Sequence, residues 1–233
     1  MTKSKSVVRK KLRAVKCDSH ASCVLKALRA TGLFRWERKS TRGEEVLNIL
    51  THGIGIGLAI AGLVLLVVYA AIAGDAWAVV SCAIFGATMI ALYLGSTMCH
   101  ALIAGTYTPF MLVNCRGPVG WTVFGILWAI TIFGAVVKIR NPYQQPKWTV
   151  GLYLVMGWTL LFILPYMISH ISTRGMIFIL AGGLSYSFGV IFYVWRRLKF
   201  SHAIWHLFVI GGSVCFFFAV LFGSIIDYPV LPM

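Results

Sequence analysis

Two histidines, His202 and His206, lie four residues apart in an apolar segment, a spacing that could bind a metal ion. Residues i and i+4 share one face of an α-helix, so both imidazoles could reach the same ion. Ser96 and His100 repeat this four-residue step in an earlier apolar segment. Imidazole nitrogens are good ligands for Zn²⁺, whereas Ca²⁺ and Mg²⁺ prefer oxygen atoms. The histidines therefore predict a transition-metal site, with zinc favoured and other divalent metals left open.

A further polar group stands at the start of the first apolar segment. Glu45, Asn48 and His52 follow steps of three and four residues, which also place them on one helix face. In zinc-dependent hydrolysis, a carboxylate such as Glu45 could move a proton, and the hydroxyl of Ser96 could orient water. We take Glu45 and Ser96 as candidate catalytic residues, and Asn48 and His52 as residues that support the metal ligands.

The composition places these side chains in a membrane protein. Of the 233 residues, 59% are hydrophobic and 12% are charged, whereas a water-soluble domain carries about 25% charged residues. No Asp or Glu occurs between Ala76 and Ile226. The sequence therefore predicts an all-α, polytopic transmembrane helical bundle.

Hydropathy predicts five spans directly, because about 20 apolar residues cross a bilayer as a helix. These spans are residues 52–72, 119–137, 149–168, 176–194 and 203–225. Between the first two lies an uncharged run, residues 76–113, which is too long for one span and short for two. The number of crossings in this run has to be inferred from the loops on either side.

The loop charges indicate that the run crosses an even number of times. Basic residues cluster after Val137 and after Val194, whereas the opposite loops hold few. The positive-inside rule then places the N-terminus and these two loops in the cytoplasm, and the C-terminus outside. Two short spans or a helix with a re-entrant return would satisfy this, and we expect seven spans, with the second and third shortened or fused. We also expect the protein to lie in the plasma (inner) membrane.

This topology brings the polar groups to one depth, near the cytoplasmic face. His100 would end the second span, which runs inward, and His202 and His206 would begin the last span, which runs outward. The face from Glu45 to His52 leads into the first span at the same level. Three imidazoles with an open fourth position, from His100, His202 and His206, suit Zn²⁺.

Residues 1–43 are predicted to form a basic tail that precedes a transmembrane domain at 44–233. Thirteen of the 21 Lys and Arg residues lie within the first 42 positions. A basic stretch beside a span is typical of a topology signal and of contact with anionic lipid, so we favour these roles over nucleic-acid binding. Two alternatives stay open for the tail: an organellar transit peptide, and a metal knuckle of Cys17, His20 and Cys23 that lacks a nearby fourth ligand.

Four ordered motifs resemble the haemolysin III branch of the progestin and adipoQ receptor family. They are EEVLNILTHGIG at 44–55, GSTMCHAL at 95–102, IAGTYTPF at 103–110 and HAIWHLF at 202–208. The resemblance implies a seven-helix fold with a cytoplasmic N-terminus. It also implies that the histidines of the second and fourth motifs, His100, His202 and His206, bind zinc near the cytoplasmic face.

The resemblance is interrupted between Leu102 and Ile103. Members of the family carry a basic loop and the first part of the third helix at this point, including an Asp beside the metal. The resemblance therefore implies that a loop and part of a span are missing, and no acid between Ala76 and Ile226 replaces the Asp. We expect metal binding to be retained more readily than catalysis.

Three functions are consistent with the resemblance. The first is a zinc-binding, haemolysin III-like membrane protein with cytolytic or membrane-perturbing activity. The second is a zinc-dependent lipid amide hydrolase, similar to a ceramidase, and the third is a receptor-like signalling protein. The absence of the family's Asp places the hydrolase behind the first.

Overall fold

A computed structural model describes residues 41–95, 99–140, 148–195 and 198–227. Ser96 and all but the last three residues of the predicted tail lie outside these ranges. The tail boundary, its contact with anionic lipid and the role of Ser96 therefore stay predictions.

The described chain folds into seven helical segments and contains no strand, which confirms the all-α, polytopic fold. Three of the segments are interrupted or end in a π-helical turn. In chain order they are α1 Arg42–Ala73, α2 Ala76–Leu94, α3 Cys99–Pro109 with a π-helical end Phe110–Asn114, α4 Pro118–Arg140, α5 in two parts Trp148–Trp158 and Leu160–Ile168, α6 Thr173–Val194, and α7 Ser201–Val220 with a π-helical end Leu221–Ile226.

The run 76–113 forms two separate helices, which agrees with the even number of crossings that the loop charges predicted. Helix α2 has 19 residues and spans about 28 Å at 1.5 Å per residue, close to the thickness of the hydrocarbon core. Helix α3 has 11 residues followed by five in its π-helical end, so the shortening falls on α3. The other six helices are long and apolar enough to cross a membrane.

Helix α3 lies inside the bundle, packed against α2, α4 and α5. Two of its threonines bond to its own backbone: Thr106 donates to the carbonyl of Leu102, and Thr108 donates to that of Ala104. The π-helical end begins directly after Pro109, which lacks an N–H and crowds the carbonyl four residues earlier. Two of its buried hydroxyls therefore have partners within the helix itself, and the hydroxyl of Tyr107 bonds to α5.

Helix α1 shows how the outer helices divide between lipid and protein. Its buried face is made mainly of small residues at steps of three and four: Thr51, Gly55, Ala59, Gly62, Leu66 and Ala70. Large apolar residues such as Ile49, Val64 and Ile72 cover the opposite, exposed face. This arrangement lets helices approach closely inside the bundle while lipid covers the outside.

Asn114 joins three segments at the end of the bundle where α3 and α7 finish. Its side-chain amide donates to the carbonyls of His170 and Gly223, and its oxygen accepts from the hydroxyl of Ser224. The side chains of Asn114 and Ser224 are buried, so each needs these partners inside the membrane protein. The network fixes the π-helical ends of α3 and α7 together.

The topology can be tested by labelling cysteines from each side of the membrane. We expect Cys17 and Cys23 to react only from the cytoplasmic side, and the variant Asp227→Cys to react only from the outside. The physical reason is that seven crossings separate the two ends of the chain. Membranes opened with detergent serve as the control, in which all three cysteines should react. Reaction of both ends from one side would contradict two separate crossings by α2 and α3.

Candidate metal centre

The predicted histidine pair lies at the start of α7 and is in direct contact. Nε2 of His206 lies 3.0 Å from Nε2 of His202, and the ring centroids are 4.6 Å apart. His206 is buried, with 2% of its surface exposed, and His202 is half-buried. The four-residue spacing therefore brings the two imidazoles together as the sequence predicted.

The third histidine of this cluster is His52 from α1. Its ring centroid lies 4.3 Å from that of His206, and the ligand nitrogens of His52, His202 and His206 all lie within 4.8 Å of one another. Nitrogens bound to one tetrahedral Zn²⁺ at about 2.0–2.1 Å lie on the order of 3.3 Å apart. Small side-chain movements would therefore bring the three nitrogens onto one ion, and three neutral imidazoles suit zinc.

A backbone carbonyl fixes the orientation of the His52 ring. Nδ1 of His52 lies 2.5 Å from the carbonyl oxygen of Tyr93, in the last turn of α2. A carbonyl only accepts, so Nδ1 carries the proton and Nε2 keeps the lone pair that a metal requires. Histidines that bind metals usually donate their other ring N–H to a carbonyl or carboxylate in this way.

Glu44 holds the beginnings of α1 and α7 together. Its carboxylate accepts from the backbone N–H of Thr41, in a capping box at the start of α1. The other carboxylate oxygen accepts from the backbone N–H of Phe200, at 2.7 Å. Phe200 has a left-handed backbone, with φ of 60°, and directly precedes α7. Glu44 thus sets the starts of the two helices that carry the three histidines.

His100 lies in the first turn of α3 and not in this cluster. It is buried, with 4% exposed, and its ring stacks on that of Tyr153 with centroids 6.0 Å apart. The prediction that His100 ends the second span is wrong, because α2 ends at Leu94. Because α3 begins at Cys99, His100 belongs to α3 and not to α2. Its role as a metal ligand stays a prediction.

Two other candidate residues, Glu45 and Asn48, precede His52 on α1. Glu45 is exposed in the first turn of α1, and Asn48 is partly buried one turn later. The backbone carbonyl of Asn48 accepts from the hydroxyl of Thr51. Within the described ranges, no carboxylate or thiol joins the three histidines. The catalytic roles of Glu45 and Ser96, and the supporting role of Asn48, stay predictions.

Sequence reasoning missed two residues that hold this site. Glu44 carried a usable signal, since the spacing Thr41-x-x-Glu44 before an apolar run is typical of a capping box. Tyr93 carried none, because it acts through a backbone carbonyl whose partner depends on how α1 packs against α2.

Fold and site together define a polytopic helical membrane protein with a three-histidine cluster at the end of the bundle where α1 and α7 begin. A model of the family described as Haemolysin-III related matches residues 40–102 and 101–217. The chain belongs to this family.

Curated relatives agree with this assignment. The chain is 41% identical to Hemolysin-3 of Bacillus cereus over 77% of its length and 91% of the relative. It is also 41% identical to the Hemolysin-3 homolog of Bacillus subtilis (strain 168), over 77% of this chain and 93% of the relative. The human Monocyte to macrophage differentiation factor is 26% identical over 78% of this chain and 85% of its own length. No solved structure matches the chain.

The matches also bear on the interruption between Leu102 and Ile103. The two pieces of the family match meet at residues 101–102. The alignment with the Bacillus cereus protein has 199 positions. It covers 77% of the 233 residues of this chain, which is fewer residues than there are positions in the alignment. The relative therefore has residues with no counterpart here, in agreement with a missing segment.

Proposed function

We propose that the protein binds one Zn²⁺ ion through His52, His202 and His206, at the cytoplasmic end of a membrane-embedded bundle. The observation that carries this proposal is the approach of the three ligand nitrogens to within 4.8 Å of one another. The hydrogen bond from His52 to Tyr93 supports it, because that bond leaves Nε2 available. Since α1 and α7 supply the ligands, a bound ion would join the first and last helices.

The activity proposed with this site is perturbation of membranes. The names of the two Bacillus relatives carry the word Hemolysin, and the seven-helix bundle lies in the bilayer itself. An ion held by three imidazoles would stabilise the contact between α1 and α7, and this contact sets the shape of the bundle at one face. We expect lysis to depend on the metal through this helix contact.

Metal analysis of the purified protein tests the proposal. We expect one zinc per chain in the parent and none in the double variant His202→Ala, His206→Ala, because that variant loses two of three ligands. Leakage from dye-loaded vesicles should fall in parallel. The variant His170→Ala is a matched control, since this histidine bonds to the carbonyl of Tyr166 near the opposite end of the bundle. Absence of zinc from the folded parent would overturn the proposal.

Hydrolysis of a lipid amide is the second candidate function, and two apolar cavities favour it. Their volumes are about 110 and 90 Å³, and both are lined by Ile103, Tyr153, Tyr186 and Val190. Together they follow α3, α5 and α6 and could receive an acyl chain. Zinc would polarise the amide carbonyl and activate water. A fluorescent ceramide-type substrate in detergent provides the assay, and hydrolysis that survives the double variant His202→Ala, His206→Ala would rule out the mechanism.

A further inference from the structure

Tyr93, in the last turn of α2, contacts both helices that carry the histidine cluster. Its carbonyl accepts from Nδ1 of His52 on α1. Its hydroxyl lies 3.0 Å from the hydroxyl of Ser213 on α7. The side chain is buried, with 3% exposed. One residue of a third helix therefore contacts α1 with its backbone and α7 with its side chain.

The ring of Tyr93 lies directly over Gly55 of α1. A Cβ added at Gly55 would meet ring carbons of Tyr93 at 2.3 and 2.4 Å, so only glycine leaves room for the ring. Gly55 follows His52 by three residues and lies on the same part of the helix surface. The ring of Tyr93 and its carbonyl therefore set the distance between α1 and α2 next to the ligand.

Through Ser213, Tyr93 contacts the helix that carries the other two histidines. It follows His206 by seven residues, which is close to two helical turns, so both lie on one face of α7. Its hydroxyl also lies 2.9 Å from the hydroxyl of Tyr186 on α6. Ser213 is buried, with 5% exposed. The three hydroxyls form a chain that fixes the depth of α7 against α2 and α6.

We infer that Tyr93 is a positioning residue of the metal site. Its carbonyl orients His52 on α1, and its hydroxyl contacts the face of α7 that carries His206. This inference rests on the proposed zinc site. The ligand nitrogens come from two helices, whose starts Glu44 joins and whose relative depth Tyr93 further constrains. A bound ion requires that depth to be correct within a fraction of an ångström, and the hydroxyl chain supplies the constraint.

The variant Tyr93→Phe tests the inference, because it removes the hydroxyl and keeps the ring and the carbonyl. We expect Zn²⁺ affinity, measured by competition with a chelating dye, to fall about tenfold, the lower end of the range for outer-shell partners. The absorption spectrum of bound Co²⁺ should change as well, because the ligand geometry relaxes. The variant Ser213→Ala should reproduce both effects, and the double variant should lose no more than either single one.

Tyr107→Phe is the matched control. Tyr107 is also buried, and its hydroxyl bonds to the carbonyl of Gly157 and the N–H of Leu160, both in α5. A general loss of stability from a missing buried hydroxyl would appear in Tyr107→Phe, whereas a change of the cobalt spectrum would not.

The possible outcomes distinguish a failure of this inference from a failure of the proposed zinc site. A parent that binds no zinc overturns the proposed site, and the inference with it. A parent that binds zinc, with Tyr93→Phe and Ser213→Ala unchanged in affinity and spectrum, overturns the inference alone. Equal losses in Tyr93→Phe and Tyr107→Phe would also overturn it. If Tyr93→Phe does not fold, Ser213→Ala decides.

Discussion

Replacing His52 with Ala is expected to lower the zinc affinity by more than 100-fold, whereas replacing His100 with Ala is expected to leave it unchanged. Loss of an outer-shell partner costs about 10- to 100-fold in metal affinity, so loss of a direct ligand should cost more. His52 lies with His202 and His206, all three within reach of one ion. His100 instead stacks on Tyr153 in the first turn of α3.

The effect of zinc on thermal unfolding separates metal binding from stability. His100 is buried, so His100→Ala should lower the unfolding temperature both with and without metal. A ligand that binds only the folded state raises that temperature by mass action. We therefore expect added zinc to stabilise the parent and His100→Ala by similar amounts and to stabilise His52→Ala much less. His170→Ala should behave as the parent. The reverse result, with zinc lost in His100→Ala and kept in His52→Ala, would establish the ligand set that the sequence predicted.

The number of helices could be predicted from the sequence because its causes are local. Each span is a continuous apolar run, and the basic loops after Val137 and Val194 fix the parity of the crossings. This parity predicted an even number of crossings in the run 76–113, and the structure forms two helices there. The sequence could not show which of the two is short, since the end of α2 at Leu94 depends on where the chain must turn.

The metal site could be predicted in part, for a related reason. His202 and His206 lie on one helix, so their four-residue spacing alone brings them together. The third ligand comes from another helix, and its choice depends on the packing of α1 and on the connection after Leu94. The motif that contains His100 begins at Gly95, directly after α2, and ends within α3. The spacing within a motif does not show which helix contains the last residue of that motif.

Glu44 and Tyr93 illustrate what lies beyond sequence patterns. The spacing of Thr41 and Glu44 indicates a capping box, but the bond from the N–H of Phe200 to Glu44 joins residues 156 positions apart. Tyr93 resembles many other aromatic residues of the spans, and its importance comes from a carbonyl and a hydroxyl that meet two other helices. Such contacts follow from the packed structure and not from local periodicity.

Replacing Gly55 with Ala is expected to destabilise the bundle and to weaken zinc binding together. The added Cβ would lie 2.3 Å from a ring carbon of Tyr93, so α1 and α2 must separate or the ring must move. Overpacking of this kind costs about 1–3 kcal/mol. Because the same ring belongs to the residue whose carbonyl holds His52, any displacement also moves a ligand.

Gly53 and Gly57 provide matched controls on the same helix. Each lies two residues from Gly55, and a Cβ added at either meets nothing within 4 Å. Alanine is more favourable than glycine inside a helix by about 0.5–1 kcal/mol, so Gly53→Ala and Gly57→Ala should be neutral or stabilising. Unfolding in detergent, followed together with zinc competition, measures both effects. Equal responses of the three variants would contradict the close approach of Tyr93 to α1, because only Gly55 lies beneath its ring.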